Sequence, residues 1–224
     1  MSASLPELLV ARLAARPLPG RAAQRRFEPE LCYGRHAGPP SGRARSAAVL
    51  ALIYPHEGQW YLPLTVRRAD MATHAGQISL PGGLIEPGET ESQAAFRELQ
   101  EELGVSADGV KLLGQLTPLY VFVSEFLVVP WVAAASKRPD WRPNRDEVAE
   151  LLEVPLALVC DPAHHGRHAR RQYGVDFTAP HIQWGRHRVW GATAMILGEL
   201  IAVIAEAGRG RDDTGMIDSG GTSV

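Results

Sequence analysis

The sequence has little cysteine, little lysine and almost no net charge. Its two cysteines, Cys32 and Cys160, are too few for a disulfide framework and are typical of a reducing compartment. Lys111 and Lys137 are its lysines, and a formal net charge of −2 argues against a general nucleic-acid-binding protein. Because no apolar run reaches the ~18 residues of a membrane span, we expect a cytoplasmic protein without a membrane segment.

The composition predicts one main domain with two appended segments. With 224 residues, 45% of them hydrophobic and 21% charged, the chain can bury one substantial core. Residues 1–42 are predicted to form a helix, Leu5 to Ala15, followed by a Pro/Gly/Arg linker. Residues 43–206 form the main domain, and residues 207–224 contain few bulky apolar side chains and are expected to be disordered.

Strand-like and helix-like runs alternate without a regular βαβ rhythm, which predicts a mixed sheet between helices. The strand predictions are Ala47 to Tyr54, Tyr61 to Val66, Lys111 to Tyr120, Phe126 to Ala135 and Gln183 to Trp190. The pattern also predicts a helical turn at Leu156 to Cys160 and a helix at Gly191 to Glu206, whereas Asp146 to Pro155 is ambiguous between strand and helix. His164, His165 and His168 lack the partners of a zinc site and are interpreted as part of a mobile loop.

The segment from Gly82 to Val105 is the most informative part of the sequence. Thr90 and Gln93 have the spacing of a capping box, so a helix is predicted to begin there and to end at Gly104. Its apolar face, Ala95, Leu99 and Leu103, is suited to pack on a core.

The opposite face of this predicted helix carries Glu98, Glu101 and Glu102, at positions i, i+3 and i+4. Like charges on neighbouring turns repel by roughly 0.2–0.5 kcal/mol per pair, and we expect no basic side chain at the matching positions to offset this. Since carboxylate oxygens are the ligands that Mg²⁺ prefers, this face is a candidate metal site. Glu89 and Arg97 are suited to form an ion pair across the start of the helix.

Counted from Gly83, the segment fits the pattern G-x5-E-x7-R-E-U-x-E-E-x-G-U, in which U is a bulky aliphatic residue. The matching positions are Gly83, Glu89, Arg97, Glu98, Leu99, Glu101, Glu102, Gly104 and Val105. The segment therefore resembles the Nudix hydrolases, and the chance of an accidental match at nine fixed offsets is very low.

The resemblance implies an α/β Nudix fold, an α/β/α sandwich with a mixed β-sheet. It also implies hydrolysis of a nucleoside diphosphate linked to another group, assisted by Mg²⁺ or Mn²⁺. On this basis Glu98 and Glu102 are the expected metal ligands, and Glu101 is a further ligand or the general base. Glu147 is a second candidate for the base, because several Nudix enzymes bring a glutamate from a later loop to the metal.

A second motif, LTVRRADMATHAGQISLPGG at Leu64 to Gly83, resembles the extra motif of the coenzyme A pyrophosphatase branch of this family. The likeness extends from about Ser46 to Ile204. Three positions depart from the motif: Arg68 and Ala72 stand where a small residue and an arginine are usual, and Leu80 stands where phenylalanine is usual. Candidates for contacts with the substrate are Arg67, His74, Gln77, Gly82 and Gly83.

Three hypotheses follow. The first is hydrolysis of coenzyme A or acyl-coenzyme A, a small nucleotide substrate, and the second is hydrolysis of another nucleotide, which the three departures favour. The third is an inactive nucleotide-binding module, which ranks last because all the expected metal-binding acids are present. A homodimer is a further hypothesis by analogy with the family.

Overall fold

The computed structural model describes residues 3–32, 35–38, 40–68, 76–172 and 174–214. The helices are α1 (Leu5–Ala14), α2 (Gly20–Gln24), α3 (Glu91–Leu103), α4 (Leu156–Cys160) and α5 (Gly191–Thr214). The strands are β1 (Arg45–His56), β2 (Gln59–Arg67), β3 (Ile78–Ser79), β4 (Gly82–Leu84), β5 (Val110–Gln115), β6 (Leu119–Val121), β7 (Phe126–Ala135), β8 (Val148–Pro155), β9 (His165–Gln172), β10 (Val175–Trp184) and β11 (His187–Trp190).

A mixed sheet of eight strands is built around β1. Strand β1 pairs in parallel with β7 and antiparallel with β2 and β4. Strand β2 also pairs with β3 and β8, and β7 also pairs with β5 and β6. The predicted strands at Ala47 to Tyr54 and Tyr61 to Val66 are present as β1 and β2, which form a hairpin through a turn at Glu57 and Gly58, both of which have positive φ.

Strand β1 is buried on both faces. Successive side chains of a strand point to opposite sides of the sheet, so β1 contributes to the packing on each side. On one side Leu50, Leu52 and Tyr54 pack with the apolar residues of α3. On the other side Ala51 and Ile53 belong to a core that includes residues of α1 and α5. The chain therefore forms the expected α/β/α sandwich.

A second sheet, β9–β10–β11, was not predicted. The expected single strand from Gln183 to Trp190 is wrong, because a turn after Trp184 separates β10 from β11. The mobile loop expected at the histidines is also wrong, since His165 and His168 lie in β9, which pairs with β10 over its whole length. The sequence of β9 shows no alternation of apolar residues, so pairing with β10 rather than burial of one face forms the strand. The ambiguous segment at Asp146 to Pro155 contains β8.

The N-terminal segment contributes to the main core. The predicted first helix is present as α1, and its Leu9 and Leu13 are buried. The linker expected after it is wrong in part, because residues 20–24 form α2 and both Gln24 and Phe27 are buried. These residues fold because they pack against α5, a partner that the local sequence does not reveal.

Helix α5 is longer than expected and continues to Thr214, so the predicted disorder from Ala207 is wrong for the first part of that segment. Ala207 is still buried against the core, which supports helix formation beyond the last bulky apolar residues. The stretch Gly191–Arg209 is long and apolar enough to span a membrane, yet 61% of the apolar window is buried inside the fold. That burial is the pattern of a core helix.

One buried carboxylate joins the N-terminal segment to α5. Glu199 is fully buried, and its oxygens accept hydrogen bonds from the Gly20 N–H (3.1 Å) and from the Gln24 side-chain amide (2.9 Å). They also accept bonds from the Thr117 N–H (3.1 Å) and hydroxyl (2.7 Å). Both carboxylate oxygens thus have hydrogen-bond donors from two distant parts of the chain.

We expect Glu199→Ala to lower the free energy of unfolding by about 3 kcal/mol or more, because it leaves several buried donors without an acceptor. Urea unfolding of the purified protein measures this change. Glu206→Ala is the matched control, since Glu206 lies on the same helix but forms a partly exposed ion pair with Arg12. Its removal should cost less than about 1 kcal/mol. Equal losses in the two variants would contradict the role assigned to Glu199.

Candidate active site

Helix α3 presents an apolar face to β1, and its other face carries acids that range from the exposed Glu101 to the buried Glu102. It begins at Thr90, whose hydroxyl accepts the Gln93 N–H while the Gln93 side chain accepts the Thr90 N–H at 2.8 Å. It ends at Gly104, whose φ of 69° favours glycine. Leu99 and Leu103 are fully buried, so the carboxylates between them are turned toward the loop that precedes the helix.

The acidic face is partly neutralised by Arg97, which corrects the expectation that no basic side chain offsets it. The Arg97 guanidinium donates to Glu89 at 2.9 Å, as expected for the pair across the helix start. It also donates to Glu98 at 2.8 Å and to Glu101 at 3.0 Å. A fourth contact, to the Leu84 carbonyl at 2.8 Å, joins the loop to the helix. One arginine thus holds three carboxylates in a fixed arrangement.

Glu102 lies apart from this network in a buried position. Its side chain is 3% exposed, its Oε2 atom has no hydrogen-bond partner among the described residues, and its Oε1 atom is 3.9 Å from Nη1 of Arg67. Burial raises the pKa of Glu102 to about 8, although the positive charge of Arg67 opposes the shift. Burial also raises the pKa of Glu98, again against an opposing arginine, Arg97. A buried, partly unsatisfied carboxylate of this kind is suited to bind a cation.

The glycine loop approaches the acidic helix too closely for side chains. A Cβ atom at Gly83 would collide with the Glu98 carboxylate, and one at Gly82 would collide with the backbone of β1. Both glycines are therefore required for the loop to lie against the carboxylates, which is a physical reason for the PGG sequence.

Glu147 is brought to the same region by the loop between β7 and β8. The Arg68 N–H donates to the Glu147 carbonyl at 3.3 Å, and the Asn144 side-chain amide donates to the Glu147 carboxylate at 3.4 Å. The negative charge of Glu147 contributes to the raised pKa values of both Glu98 and Glu102, which shows that it lies near both. Sequence reasoning missed Asn144 and the contact of Arg68 with this loop, although Pro143-Asn144 before Asp146 is a recognisable turn signal.

The candidate substrate contacts are only partly brought together. Arg67 lies beside Glu102, and its Nε atom is buried without a hydrogen-bond partner among the described residues. Gln77 is adjacent, because its carbonyl accepts the Arg67 N–H at 2.9 Å. His74 and Ala72 lie outside the described residues.

The acids fit a divalent cation that completes its coordination elsewhere. Among the described residues, no group of three or more His, Cys, Asp or Glu side chains is arranged to hold a metal ion. In the arrangement seen here Arg97 holds Glu98 and Glu101, while Glu102 faces Arg67. Mg²⁺ is commonly bound by one or two carboxylates together with water and substrate phosphates rather than by a complete protein cage. The unsatisfied oxygen of Glu102, close to Glu98, suits that mode.

A cleft of about 350 Å³ lies at the C-terminal end of α3, lined by residues such as Ser106, Lys137 and Arg142. None of the candidate catalytic or metal-binding carboxylates lines it. We place the candidate active site at the carboxylates rather than in this cleft, because the two motifs of the sequence meet at the carboxylates and not at the cleft.

The family model described as NUDIX domain matches residues 44–173. The chain is 37% identical over 175 residues to Uncharacterized Nudix hydrolase NudL from Pectobacterium atrosepticum, covering 75% of this chain and 86% of that protein. It is 33% identical over 168 residues to mitochondrial coenzyme A diphosphatase NUDT8 from Homo sapiens, covering 73% of this chain and 71% of that protein. Among solved structures, the Nudix hydrolase RenU from M. smegmatis is 21% identical over 80% of this chain and 90% of that chain, with a TM-score of 0.45.

The raised pKa of Glu102 predicts how stability without metal depends on pH. The proton on Glu102 stabilises the folded state, fully below the ordinary value of 4.5, and this contribution is lost as pH rises through about 8. In the presence of EDTA, the melting temperature of wild-type protein should therefore fall more between pH 6 and pH 9 than that of Glu102→Gln. Adding Mg²⁺ or Mn²⁺ at pH 9 should raise the melting temperature of the wild type and have little effect on the variant.

Glu91→Gln is the control for this measurement, because Glu91 is an exposed glutamate in the first turn of the same helix and has no assigned role in binding metal. The same dependence on pH in wild type and Glu102→Gln would show that Glu102 is not the buried acid described above.

Proposed function

Since the chain belongs to the Nudix hydrolase family, we propose that it hydrolyses the diphosphate of coenzyme A or of its acyl derivatives. The products would be 3′,5′-ADP and 4′-phosphopantetheine, or the acyl form of the latter. Membership of the family makes the protein an enzyme that acts on phosphorus-containing anhydrides and uses a divalent metal ion.

The observation that carries the proposal is the meeting of two sequence motifs at one place. Arg67, from the motif that resembles the coenzyme A pyrophosphatase branch, lies 3.9 Å from Glu102 of the acidic helix. The resemblance to relatives named coenzyme A diphosphatases, from human and mouse, supports the same substrate. The structure describes two of the three departures: Leu80 is buried in the core, and Arg68 donates to the Arg145 carbonyl at 3.0 Å.

The diphosphate is an anion that repels a nucleophile, so the site has to neutralise charge before the bond can break. Glu98 and Glu102 would hold the divalent metal ion, Mg²⁺ or Mn²⁺, with Glu101 as a further ligand. When bound, the ion withdraws charge from the phosphate oxygens and makes water more acidic.

The protein's own side chains would position the acids and the substrate. Arg97 and Glu89 hold Glu98 in place, because Arg97 bonds to both carboxylates and to the glycine loop. Gly82 and Gly83 let the loop lie against Glu98 and are proposed to contact the substrate. Arg67, Gln77 and His74 are proposed to contact the nucleotide, and an arginine is well suited to a phosphate because its two donors match two oxygens.

Glu147 is proposed as the general base that accepts the proton from water. It is the better candidate because Glu101 is already bonded to Arg97, whereas the observed partner of the Glu147 carboxylate is a neutral amide.

The substrate is tested by measuring kcat/KM for coenzyme A, ADP-ribose and a nucleoside triphosphate side by side with Mg²⁺ and with Mn²⁺. We expect the highest value for coenzyme A, with 3′,5′-ADP and 4′-phosphopantetheine as products identified by mass spectrometry. An equal or lower value for coenzyme A would reject this substrate in favour of another nucleotide and leave the family assignment intact.

The metal ligands are tested by Glu98→Gln and Glu102→Gln. Each should lower kcat/KM by about 100-fold or more, because metal-assisted charge neutralisation supplies several kcal/mol and each 1.4 kcal/mol corresponds to about tenfold in rate. Glu91→Gln is the matched control, since Glu91 is an exposed glutamate in the first turn of the same helix. Wild-type rates in either of the first two variants would refute their assignment.

A further inference from the structure

Asn144 is bonded to Glu147 through its side chain. Its Nδ2 atom donates to Oε1 of Glu147 at 3.4 Å, and its Oδ1 atom accepts the Asp146 N–H at 3.1 Å. The first bond holds the Glu147 carboxylate, and the second closes a turn within the loop. A donor contact of this length is common at catalytic carboxylates without substrate, because such bonds tighten when the substrate binds.

The backbone of Asn144 is bonded to the helix that carries the metal-binding acids. Its N–H donates to the Glu102 carbonyl at 2.9 Å, at the end of α3 where helix carbonyls lack partners within the helix. Its own carbonyl accepts the N–H groups of Glu147 at 3.1 Å and Val148 at 2.8 Å. One residue therefore fixes the distance between the backbone of Glu102 and that of Glu147.

Neighbouring contacts hold the loop on either side of Asn144. The Arg142 N–H donates to the Leu103 carbonyl at 2.9 Å, and the Arg68 guanidinium donates to the Arg145 carbonyl at 3.0 Å. Farther along, Glu153 accepts hydrogen bonds from Arg138 and from the Trp141 indole. With the backbone held in this way, the remaining freedom of Glu147 is that of its own side chain, and Asn144 is the residue seen to contact the carboxylate.

We propose that Asn144 is a positioning residue that orients the Glu147 carboxylate toward the acids of α3. The proposal rests on the proposed function, in which Glu147 accepts a proton from water. A neutral amide suits this task because it restricts the carboxylate without the strong pairing that an arginine or lysine would impose. General bases contribute only when they lie within hydrogen-bond reach of the proton that they abstract, so their orientation affects kcat directly.

Two substitutions separate the donor of Asn144 from its role in the turn. Asn144→Asp keeps an oxygen that can accept the Asp146 N–H, but replaces the donor to Glu147 with a like charge. Asn144→Ala removes both functions. If Asn144 acts only through the turn, Asn144→Asp should behave as the wild type and Asn144→Ala should not.

The experiment measures kcat and KM for wild type, Asn144→Asp, Asn144→Ala, Glu147→Gln and the double variant Asn144→Asp/Glu147→Gln. The substrate is whichever of coenzyme A, ADP-ribose and a nucleoside triphosphate the wild type hydrolyses fastest. We expect Asn144→Asp to lower kcat by at least about tenfold, since a general base supplies about 10²–10⁴-fold. KM should stay within about twofold, because binding of the ground state does not depend on Glu147.

The double variant provides the readout that a purely structural role would not produce. If Asn144 acts through Glu147, adding Asn144→Asp to Glu147→Gln should cause little further loss, so the two effects should be strongly non-additive. The melting temperature of Asn144→Asp should stay within about 3 °C of the wild type, and its affinity for Mn²⁺, measured by electron paramagnetic resonance, should be unchanged.

The proposal is overturned if Asn144→Asp has the kcat of the wild type. It is also overturned if Asn144→Asp lowers kcat by the same factor in the wild type and in Glu147→Gln. A ~10–100-fold loss of Mn²⁺ affinity also overturns it, because Asn144 would then support the metal ligands rather than the base. A wild type that hydrolyses none of the three substrates rejects the proposed function itself, and this proposal with it. If the wild type prefers a nucleotide other than coenzyme A, coenzyme A is rejected as the substrate. The same measurements with the preferred nucleotide then still test the role of Asn144.

Discussion

The burial of the Glu102 carboxylate is the constraint on which the candidate site depends. A carboxylate in this position has lost most of its hydration, and the arginine beside it is at 3.9 Å, too far for a close ion pair. In water the same group would be ionised and satisfied at neutral pH. Here burial makes its ionisation unfavourable, and a bound cation would stabilise the charged form.

The remaining parts of the site hold the other acids and the helix that carries them in place. Arg97 compensates the more exposed acids, so the repulsion among three carboxylates on neighbouring turns does not unwind α3. The two glycines allow the loop to approach without filling the space beside Glu98. The core face of the same helix is fully buried against β1, which fixes the acidic face relative to the sheet. One side of α3 therefore packs against the sheet, and the opposite side carries the acids.

Much of this arrangement could be predicted from the sequence because its signals are local. The cap at Thr90, the end at Gly104 and the spacing of the acids all lie within twenty-four residues, and the structure has the helix where they place it. Most of the missed features depend on distant partners. The strand at His165–Gln172 forms through pairing with β10, and residues 20–27 fold because they meet α5. The pair of Arg97 and Glu101 follows the i, i+4 spacing of a helix and was missed. Asn144 reaching both Glu102 and Glu147 depends on how the loop before β8 lies against α3, which the local sequence does not reveal.

The contact between the N-terminal segment and α5 has a consequence for where this molecule can be divided. The stretch recognisable as a family member starts at residue 44, yet the Phe27 ring lies against the backbone of Gly198, where a Cβ would collide with it. A chain cut at residue 44 would expose this apolar surface of α5 to water and leave the buried Glu199 carboxylate without its donors Gly20 and Gln24. The stretch that the family model matches is therefore shorter than the stretch of chain that packs into one core.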